Sequence, residues 1–370
     1  MHPGARTDIG PPPLLSTSEP RLGFGAWAVG GSGWGPAASR SERGAAVARA
    51  FERGITFFDT APTYGDGGSE TLLGEVLRAD RARVALATKI GPRDDPRVSL
   101  EASLRRLQTD YVNLIQLHEV GERWEWQMDA LHRLQDVGKA HAVGLCNATH
   151  LQLARALELG PLATYQGPYN LFDRDIEQRL LPLCRDRGLR FLAYRPLAAG
   201  LLAGNYATPP EFAEGDHRRG IYWFKGREFA RRRAAIDRLE PIARTSGRSL
   251  AGLALAWVLA QPGASVVLAG ARSASQVDEN LSALDRPLAP PEVAAVDGVV
   301  AEAFRPARAT ARARALAVAW GPRERYLVEQ LDGTSYEAIA ARWTDRGEQP
   351  MIAAQVKVFV DHLAEQGLVA

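Results

Sequence analysis

The chain has 370 residues, enough to bury a large core, and its 45 lysines and arginines nearly balance its 43 aspartates and glutamates; this balance argues against a protein whose whole surface binds nucleic acid or a membrane. Two cysteines, Cys146 and Cys184, are too few for a disulfide framework, so we expect a reducing compartment and a cytoplasmic protein. We expect neither secretion nor a membrane span, because the opening residues are rich in proline and glycine and no run of about 18 apolar residues occurs.

Short apolar runs alternate with segments of helical spacing through most of the chain. The first run leads through a glycine-rich loop to apolar residues at helical spacing between residues 41 and 53. The pattern repeats, and eight strand candidates each precede a helix: residues 22–25, 54–59, 84–90, 111–118, 141–147, 162–167, 189–195 and 264–270. Unbroken apolar strands in such an alternation predict a parallel sheet covered by helices. We therefore predict an α/β fold, a closed (β/α)8 TIM barrel.

Two stretches do not fit a minimal barrel. Residues 201–233 are too long and too polar for an ordinary connection, and we interpret them as a loop over the mouth of the barrel. Beyond the barrel pattern, an Arg/Ala-rich connector leads to a compact segment in which Thr334 and Glu337 have capping-box spacing. We therefore divide the chain into a barrel, residues 1–304, and a C-terminal module, residues 305–370, that is all-α or winged-helix-like.

The C-terminal module offers little that predicts a partner. Its last helix carries Lys357 against Asp361 and Glu365, which is a poor match for phosphate contacts, so we expect no nucleic acid binding. The segment weakly resembles small winged-helix accessory modules of tailoring enzymes, which would imply docking of a peptide or partner. Plain structural packing or dimerisation is the alternative.

The stretch from Gly54 to Gly65 combines an acid and a phenol where barrel enzymes gather their chemistry. Its apolar residues form a strand candidate that ends at Asp59, and Tyr64 follows on the next loop. Active sites of (β/α)8 barrels lie at the carboxyl ends of the strands. Asp59 and Tyr64 are therefore candidate site residues.

Two further residues turn this pair into a recognisable pattern. With Lys89 and His118, also at predicted strand ends, Asp59 and Tyr64 resemble the Asp-Tyr-Lys-His tetrad of the aldo-keto reductases. The resemblance runs from Leu22 to about Asp285 and covers most of the barrel. Each residue alone also fits a purely structural role, as part of a surface ion pair, as a packing residue or as a hydrogen-bonded polar group. All four at the expected strand ends, in the family's order, favour a site.

The resemblance implies an oxidoreductase that reduces an aldehyde or ketone, a small-molecule carbonyl, with hydride from a nicotinamide. Tyr64 would be the general acid, and because a phenol of pKa about 10 is a poor acid at neutral pH it needs tuning. Lys89 would lower the pKa of Tyr64, and Asp59 would keep Lys89 charged. His118 would orient the carbonyl oxygen. No metal site is expected.

The cofactor that the resemblance implies is NADPH/NADP+. Arg272 and Ser273, at the start of the last barrel helix, would meet the 2′-phosphate and favour NADPH over NADH. Asn147 and Gln166 would hydrogen-bond the carboxamide, and Tyr194 would stack on the ring. The bland alternatives are a turn-forming Asn147, a packing Tyr194 and an exposed arginine beside a helix-capping serine. The full set of expected cofactor-binding residues is Gly25, Ala26, Trp27, Asp59, Cys146, Asn147, Gln166, Tyr194, Arg195, Pro196, Leu197, Gly200, Leu201, Gly270, Arg272, Gln276, Glu279 and Asn280.

Several positions depart from the family pattern. Cys146 and Arg195 each replace a serine, and the charge of Arg195 could pair with a cofactor phosphate or with an acidic substrate. Ala269 and Asn113 replace a proline and an aspartate away from the hydride. We expect pocket walls from the regions of Trp27 and Trp34, from the residues after His118 and from residues 222–224. Aromatic walls suggest an apolar or aromatic carbonyl, and the alternative is that these aromatic residues pack in the core.

Two alternative functions stay open. The barrel could be a non-catalytic nicotinamide-binding or sensing protein, although a pure binder does not need an acid and its tuning lysine. It could also be a tailoring reductase whose C-terminal module docks a peptide or a carrier-bound substrate.

Overall fold

The computed structural model describes residues 21–35, 38–304, 322–331, 336, 339–340, 353–365 and 368–369. Its eight strands are β1 Arg21–Gly25, β2 Phe57–Asp59, β3 Ala85–Ile90, β4 Leu114–Leu117, β5 Val143–Cys146, β6 Thr164–Pro168, β7 Arg190–Tyr194 and β8 Ala264–Ala269. All are parallel, each pairs with its neighbour in sequence, and β8 pairs with β1 to close the barrel. The predicted (β/α)8 barrel is confirmed.

Helices alternate with these strands, and two of them, together with the long insertion, lie between β7 and β8. The α-helices between residues 40 and 303 are α1 Arg40–Glu52, α2 Gly68–Leu77, α3 Pro96–Leu107, α4 Trp124–Asp136, α5 His150–Leu159, α6 Leu180–Asp186, α7 Gly226–Thr245, α8 Leu250–Leu259, α9 Ala274–Leu281 and α10 Pro290–Ala303. Because each helix that follows a strand starts at the carboxyl end of that strand, the helix N-termini and the connecting loops share one rim of the barrel.

Side-chain caps fix several of these N-termini. The carboxylate of Asp95 accepts hydrogen bonds from the backbone N–H groups of the first turn of α3, with Pro96 at the first helical position. Thr149 forms a capping box with Gln152 at α5, and the hydroxyl of Ser273 accepts from a backbone N–H of α9. Each such cap stabilises a helix by roughly 0.5–2 kcal/mol. The rim therefore consists of loops whose ends are held locally.

The inside of the barrel is packed with apolar side chains. This core cluster consists of Phe57, Ala85, Ala87, Leu114, Ala142, Leu192, Val266 and Leu268. Outside the strands, α8 is buried from Leu250 to Val258, which explains why it is apolar on every side. Burial of one large apolar side chain contributes about 1.5–3 kcal/mol. The filled interior confines polar chemistry to the carboxyl end of the barrel.

The long insertion after β7 is tied to the loop after β1. It contains two short 3-10 helices, His217–Gly220 and Tyr222–Phe224. The backbone N–H of His217 donates to the carbonyl oxygen of Gly33 at 3.1 Å. The insertion thus reaches the loop that carries the first two tryptophans of the chain.

The described residues form two compact units that divide between Val299 and Val300. The second unit contains α11 Pro322–Gln330 and α12 Ala353–Glu365, packed around a core of its own that includes Leu327, Val328, Ile339, Val356, Val360 and Leu363. The capping-box pair expected at Thr334 and Glu337 lies outside the described residues. The domain boundary at residues 304/305 and the winged-helix-like character of the module stay predictions.

The described helices were also compared with the length and hydropathy that a bilayer requires. None of those in the described ranges is long and apolar enough to cross a membrane.

Candidate active site

A cavity of about 850 Å³ opens at the carboxyl ends of the strands. Most of the residues expected from the sequence line it: Gly25, Trp27, Asp59, Tyr64, His118, Asn147, Gln166, Tyr194, Arg195, Pro196, Leu197, Gly200, Gly270, Arg272, Gln276, Glu279 and Asn280. Four others, Ala26, Lys89, Cys146 and Leu201, are buried behind its surface. The barrel therefore gathers residues from segments far apart in sequence around one cavity.

Lys89 lies at the centre of the polar cluster. Its ammonium donates to Asp59 Oδ2 at 2.6 Å and to the backbone carbonyl of Thr60 at 2.8 Å, and it lies 3.2 Å from the hydroxyl oxygen of Tyr64. Asp59 ends β2 and Lys89 is the penultimate residue of the neighbouring β3, so the sheet itself sets their spacing. The strand register places an ammonium beside the phenol.

The carboxylate of Asp59 is fully engaged within the barrel. Its second oxygen accepts from Gln166 Nε2 at 2.9 Å and from Gln116 Nε2 at 3.3 Å. Asp59 is 3% exposed and Lys89 is 0% exposed. A buried ion pair is tolerated when its remaining lone pairs are satisfied in this way. Gln166 thus orients Asp59, and its contact with a carboxamide stays a prediction.

One close backbone contact and one ring contact position Tyr64. Gly65 has a φ of +61°, and a Cβ there would lie 2.0 Å from the carbonyl oxygen of Gly30. The loop after β1 therefore packs directly on the backbone next to Tyr64, which only glycine allows. The same loop stacks the ring of Trp27 on the ring of Tyr64, with centroids 5.5 Å apart and planes inclined by 17°. The phenol is held between Trp27 and Lys89.

The protonation states follow from burial and the nearby ammonium. Burial is the largest influence on Lys89 and lowers its pKa, but Asp59 and Tyr64 together raise that pKa above its ordinary value, so Lys89 is charged. Burial, and to a smaller extent the charge of Lys89, lower the pKa of His118 to about 3, so His118 is neutral at pH 7. A neutral imidazole next to the phenol can still donate a hydrogen bond.

One electrostatic expectation needs correction. Lys89 does act to lower the pKa of Tyr64, as expected, but burial is the larger influence and raises the pKa above the ordinary phenol value. Burial disfavours the charged form of the phenol more than one ammonium at 3.2 Å favours it. Tyr64 is therefore protonated at neutral pH, the form from which a proton can be given.

The amide of Asn147 is already hydrogen-bonded in the protein. Its Nδ2 donates to the carbonyl oxygen of His118 at 3.0 Å, and its Oδ1 accepts from the hydroxyl of Tyr194 at 2.8 Å. Asn147 has a φ of +54°, a left-handed conformation that asparagine tolerates better than most residues. This network fixes the ring of Tyr194 at the edge of the cavity.

The far end of the cavity suits an anionic ligand. Arg272 precedes α9, whose N-terminus is capped by Ser273, and Arg272 Nη1 donates to the carbonyl oxygen of Trp34 at 2.6 Å. At the cavity wall Gly200 has a φ of +92°, and a Cβ there would meet no atom within 4 Å, so it would project into open space. The phosphates of a dinucleotide fit this end of the cavity, because it offers the N-terminus of α9, the charge of Arg272 and the open space beside Gly200.

The rim contains residues that the sequence analysis did not assign. Tyr206 and Arg218 line the cavity, and Arg218 forms an ion pair with Asp216 at 2.5 Å and donates to the hydroxyl of Tyr206 at 3.0 Å. Trp34, expected at the wall, does line the cavity. Residues 222–224 do not: Phe224 is buried against the rings of Phe212 and Tyr206, and Tyr222 is exposed. In the sequence, only the polar composition of the insertion indicated that a residue such as Arg218 could lie at the cavity.

Comparisons with known proteins agree with this geometry. A model of the aldo/keto reductase family matches residues 21–301. Aldo-keto reductase YhdN of Bacillus subtilis (strain 168) is 35% identical over 280 residues, which cover 70% of this chain and 83% of that protein. The NADH-specific methylglyoxal reductase of Escherichia coli (strain K12) is 30% identical over 301 residues, which cover 72% of this chain and 90% of that protein.

Solved structures agree with the sequence comparisons. A crystal structure of an aldo/keto reductase from Klebsiella pneumoniae in complex with NADP and acetate matches with a TM-score of 0.61 at 32% identity, covering 75% of this chain and 90% of that chain. The family model spans the barrel from its first strand into its last helix. The chain belongs to the aldo/keto reductase family.

Proposed function

We propose that the protein is an NADPH-dependent reductase that converts an aldehyde or ketone to an alcohol, with Tyr64 as the proton donor. Membership of the family supports an oxidoreductase that acts on small carbonyl compounds. The observation that carries the finer proposal is the hydroxyl of Tyr64 at the cavity wall, 3.2 Å from a buried ammonium.

The residues of the cavity supply three separate contributions. The reduced nicotinamide, when bound, supplies the hydride that reaches the carbonyl carbon. Neutral His118 donates a hydrogen bond to the carbonyl oxygen and orients it. Tyr64 transfers its proton to that oxygen as negative charge develops there.

Lys89 stabilises the state that follows proton transfer. Loss of the proton leaves a phenolate in a buried site, which is unfavourable without a compensating charge. The ammonium of Lys89, held by Asp59, lies within hydrogen-bond distance of the phenolate oxygen. The ammonium thus acts mainly on the transition state and the product, in which the charge develops.

The preference for NADPH is a separate part of the proposal. Arg272 at the N-terminus of α9 supports recognition of a 2′-phosphate, and the complex of the Klebsiella relative contains NADP. The Escherichia coli relative is NADH-specific, so family membership alone does not decide the matter.

The substitution Arg272→Ala tests this preference. A lost charged hydrogen bond of about 1.5–3 kcal/mol predicts a roughly 10- to 150-fold rise in the Kd for NADPH, with the Kd for NADH unchanged. Fluorescence titration of both cofactors measures the change. Equal effects on the two cofactors would show that Arg272 does not contact the 2′-phosphate.

An NADPH oxidation assay over a panel of aldehydes and ketones tests the catalytic proposal. Tyr64→Phe should lower turnover at least 100-fold, because general acid catalysis contributes about 10²–10⁴-fold. The matched control is Tyr111→Phe, which removes a hydroxyl from a ring that stacks on His141 outside the cavity. If the protein oxidises NADPH with none of these carbonyls, the alternative of a non-catalytic binding protein is favoured.

A further inference from the structure

The arginines of the cavity are not equivalent. Arg218 is neutralised by Asp216, and Arg272 donates to the backbone of Trp34 at the end assigned to the adenosine phosphate. Within the described ranges, no acidic side chain lies within ion-pair distance of Arg195, the third arginine at the cavity wall. A permanent charge at the edge of a largely apolar cavity requires a counter-charge or water.

Arg195 lies close to the proposed proton donor. It directly follows β7 with a φ of +52°, and its carbonyl oxygen accepts from Asn170 Nδ2 at 3.1 Å. Its guanidinium carbon is 5.9 Å from the ring centroid of Trp27, whose centroid is 5.5 Å from that of Tyr64. The guanidinium of Arg195 and the ring of Tyr64 therefore both lie next to the ring of Trp27.

Two hydrogen-bond donors near Trp27 have no protein acceptor. Arg195 Nε and Trp34 Nε1 are both buried without a hydrogen-bond partner in the part of the chain that the structure describes. The ring of Trp34 packs edge-on against Trp27 with centroids 5.1 Å apart, and both Trp34 and Arg195 line the cavity. Buried donors of this kind call for an explanation, and a ligand group with acceptor atoms supplies one. Neither nitrogen can accept a hydrogen bond, so the matching group is an acceptor.

Three acidic residues line the cavity, and none of them forms an ion pair with Arg195: Asp59 is paired with Lys89, Glu279 lies on α9, and Glu119 lies beyond β4. Glu119 follows His118 after β4, whereas Arg195 follows β7 and Trp34 follows β1. In the closed strand order β7 is next to β8 and β8 is next to β1, while β4 is three strands away from β7. Glu119 therefore lies on a different side of the cavity from Arg195 and Trp34, and Arg195 has no acidic partner among the described residues.

We propose that Arg195 binds a carboxylate of the substrate, so that the preferred substrates are aldehydes or ketones that carry a carboxylate a few carbon atoms from the carbonyl. A guanidinium and a carboxylate match in shape and charge, and the half-buried position of Arg195 strengthens the pair relative to one on the open surface. The inference rests on the proposed reductase function and specifies its substrate class.

The experiment compares oxo acids with their neutral methyl esters as substrates. The panel contains 2-oxopropanoate, 4-oxobutanoate and 5-oxopentanoate, each beside its ester, at saturating NADPH. The wild-type protein should favour at least one acid over its ester by about tenfold or more in kcat/KM. Arg195→Gln should lower the ratio of kcat/KM for that acid to kcat/KM for its ester by about 10- to 100-fold, as expected for the loss of a charge-assisted hydrogen bond. Arg195→Lys should recover part of the loss because it restores the charge.

A matched control and a binding measurement separate the outcomes. Arg187→Gln makes the same change at an exposed position just after α6 and should leave the acid-to-ester ratio unchanged. An equal preference for acids and esters in the wild-type protein, or an unchanged ratio in Arg195→Gln, overturns the assignment and leaves the reductase function intact. A higher Kd for NADPH in Arg195→Gln, with both substrates affected alike, overturns it in favour of a cofactor phosphate. Turnover of none of the compounds by the wild-type protein argues against the reductase function itself.

Discussion

The strand ends and the rim loops of this barrel hold their polar groups in different ways. Asp59 and Lys89 lie on adjacent strands, are buried, and are fixed by the register of the sheet. The rim groups lie on two long segments, residues 26–35 and 205–224, which are joined by contacts such as His217 to Gly33. In the proposed function, the strand ends carry the chemistry of carbonyl reduction, whereas the rim loops shape the space that a particular substrate enters. Changes at the two places should therefore have different consequences.

The largest effect is expected from Lys89→Met at the strand ends. Loss of the ammonium leaves the buried carboxylate of Asp59 without its partner, which should lower the free energy of unfolding by about 3–5 kcal/mol. Turnover should also fall by at least 100-fold, because nothing stabilises the phenolate of Tyr64. Urea unfolding and NADPH oxidation measure the two effects.

A lysine outside the cavity provides the control for this substitution. Lys139→Met breaks a surface ion pair with Glu101 of 3.2 Å and should cost less than about 1 kcal/mol. The double variant Asp59→Asn with Lys89→Met should recover stability but not turnover. Recovery of both would mean that the pair serves folding alone.

A smaller effect is expected where a rim loop rests on the strand ends. Gly65→Ala places a methyl group against the carbonyl oxygen of Gly30 and should lower the free energy of unfolding by roughly 3 kcal/mol. Because the loop must shift, turnover should fall even in the fraction that stays folded. Thermal unfolding and turnover per folded molecule are the measurements.

Gly188→Ala separates backbone strain from the close contact. Gly188 has a φ of +68° and no atom within 4 Å of an added Cβ, so only the strain of the left-handed conformation, about 1 kcal/mol, applies. Equal losses in the two variants would contradict the close approach of the rim loop to Tyr64.

The smallest effect is expected from pH. His118, with a pKa lowered to about 3, stays neutral until the solution is strongly acidic. The pKa of Tyr64 is raised, so Tyr64 stays protonated until the pH exceeds the pKa of an ordinary phenol. For reduction of a neutral aldehyde, kcat/KM should therefore be level between about pH 5.5 and 9. A decline near pH 6.5 that disappears in His118→Gln would contradict the neutral imidazole.

The sequence was most informative where structure is periodic. Asp59, Lys89 and His118 could be placed together because parallel strands of a barrel end at one rim, so the end of each apolar run predicts a position in space. Why position 65 requires glycine is explained only by the contact with Gly30, which the sequence does not reveal. The sign of the net pKa shift at Tyr64 also depended on burial, which a sequence does not give.

The rim loops were less predictable because their positions depend on tertiary contacts. The aromatic run 222–224 was expected at the cavity wall, but Phe224 packs into a small aromatic cluster instead. Arg218 was missed because its place depends on Asp216 and on the course of a long insertion. Residue type alone does not distinguish an aromatic wall from an aromatic core.

The most direct test of the account is a single-turnover measurement of hydride transfer in Tyr64→Phe. The variant is loaded with NADPH and mixed with excess aldehyde in a stopped-flow instrument, and NADPH fluorescence reports oxidation. The account predicts a rate at least about 100-fold below that of the wild-type protein, with the Kd for NADPH changed less than about threefold. A rate within about threefold of the wild-type rate would show that another group donates the proton.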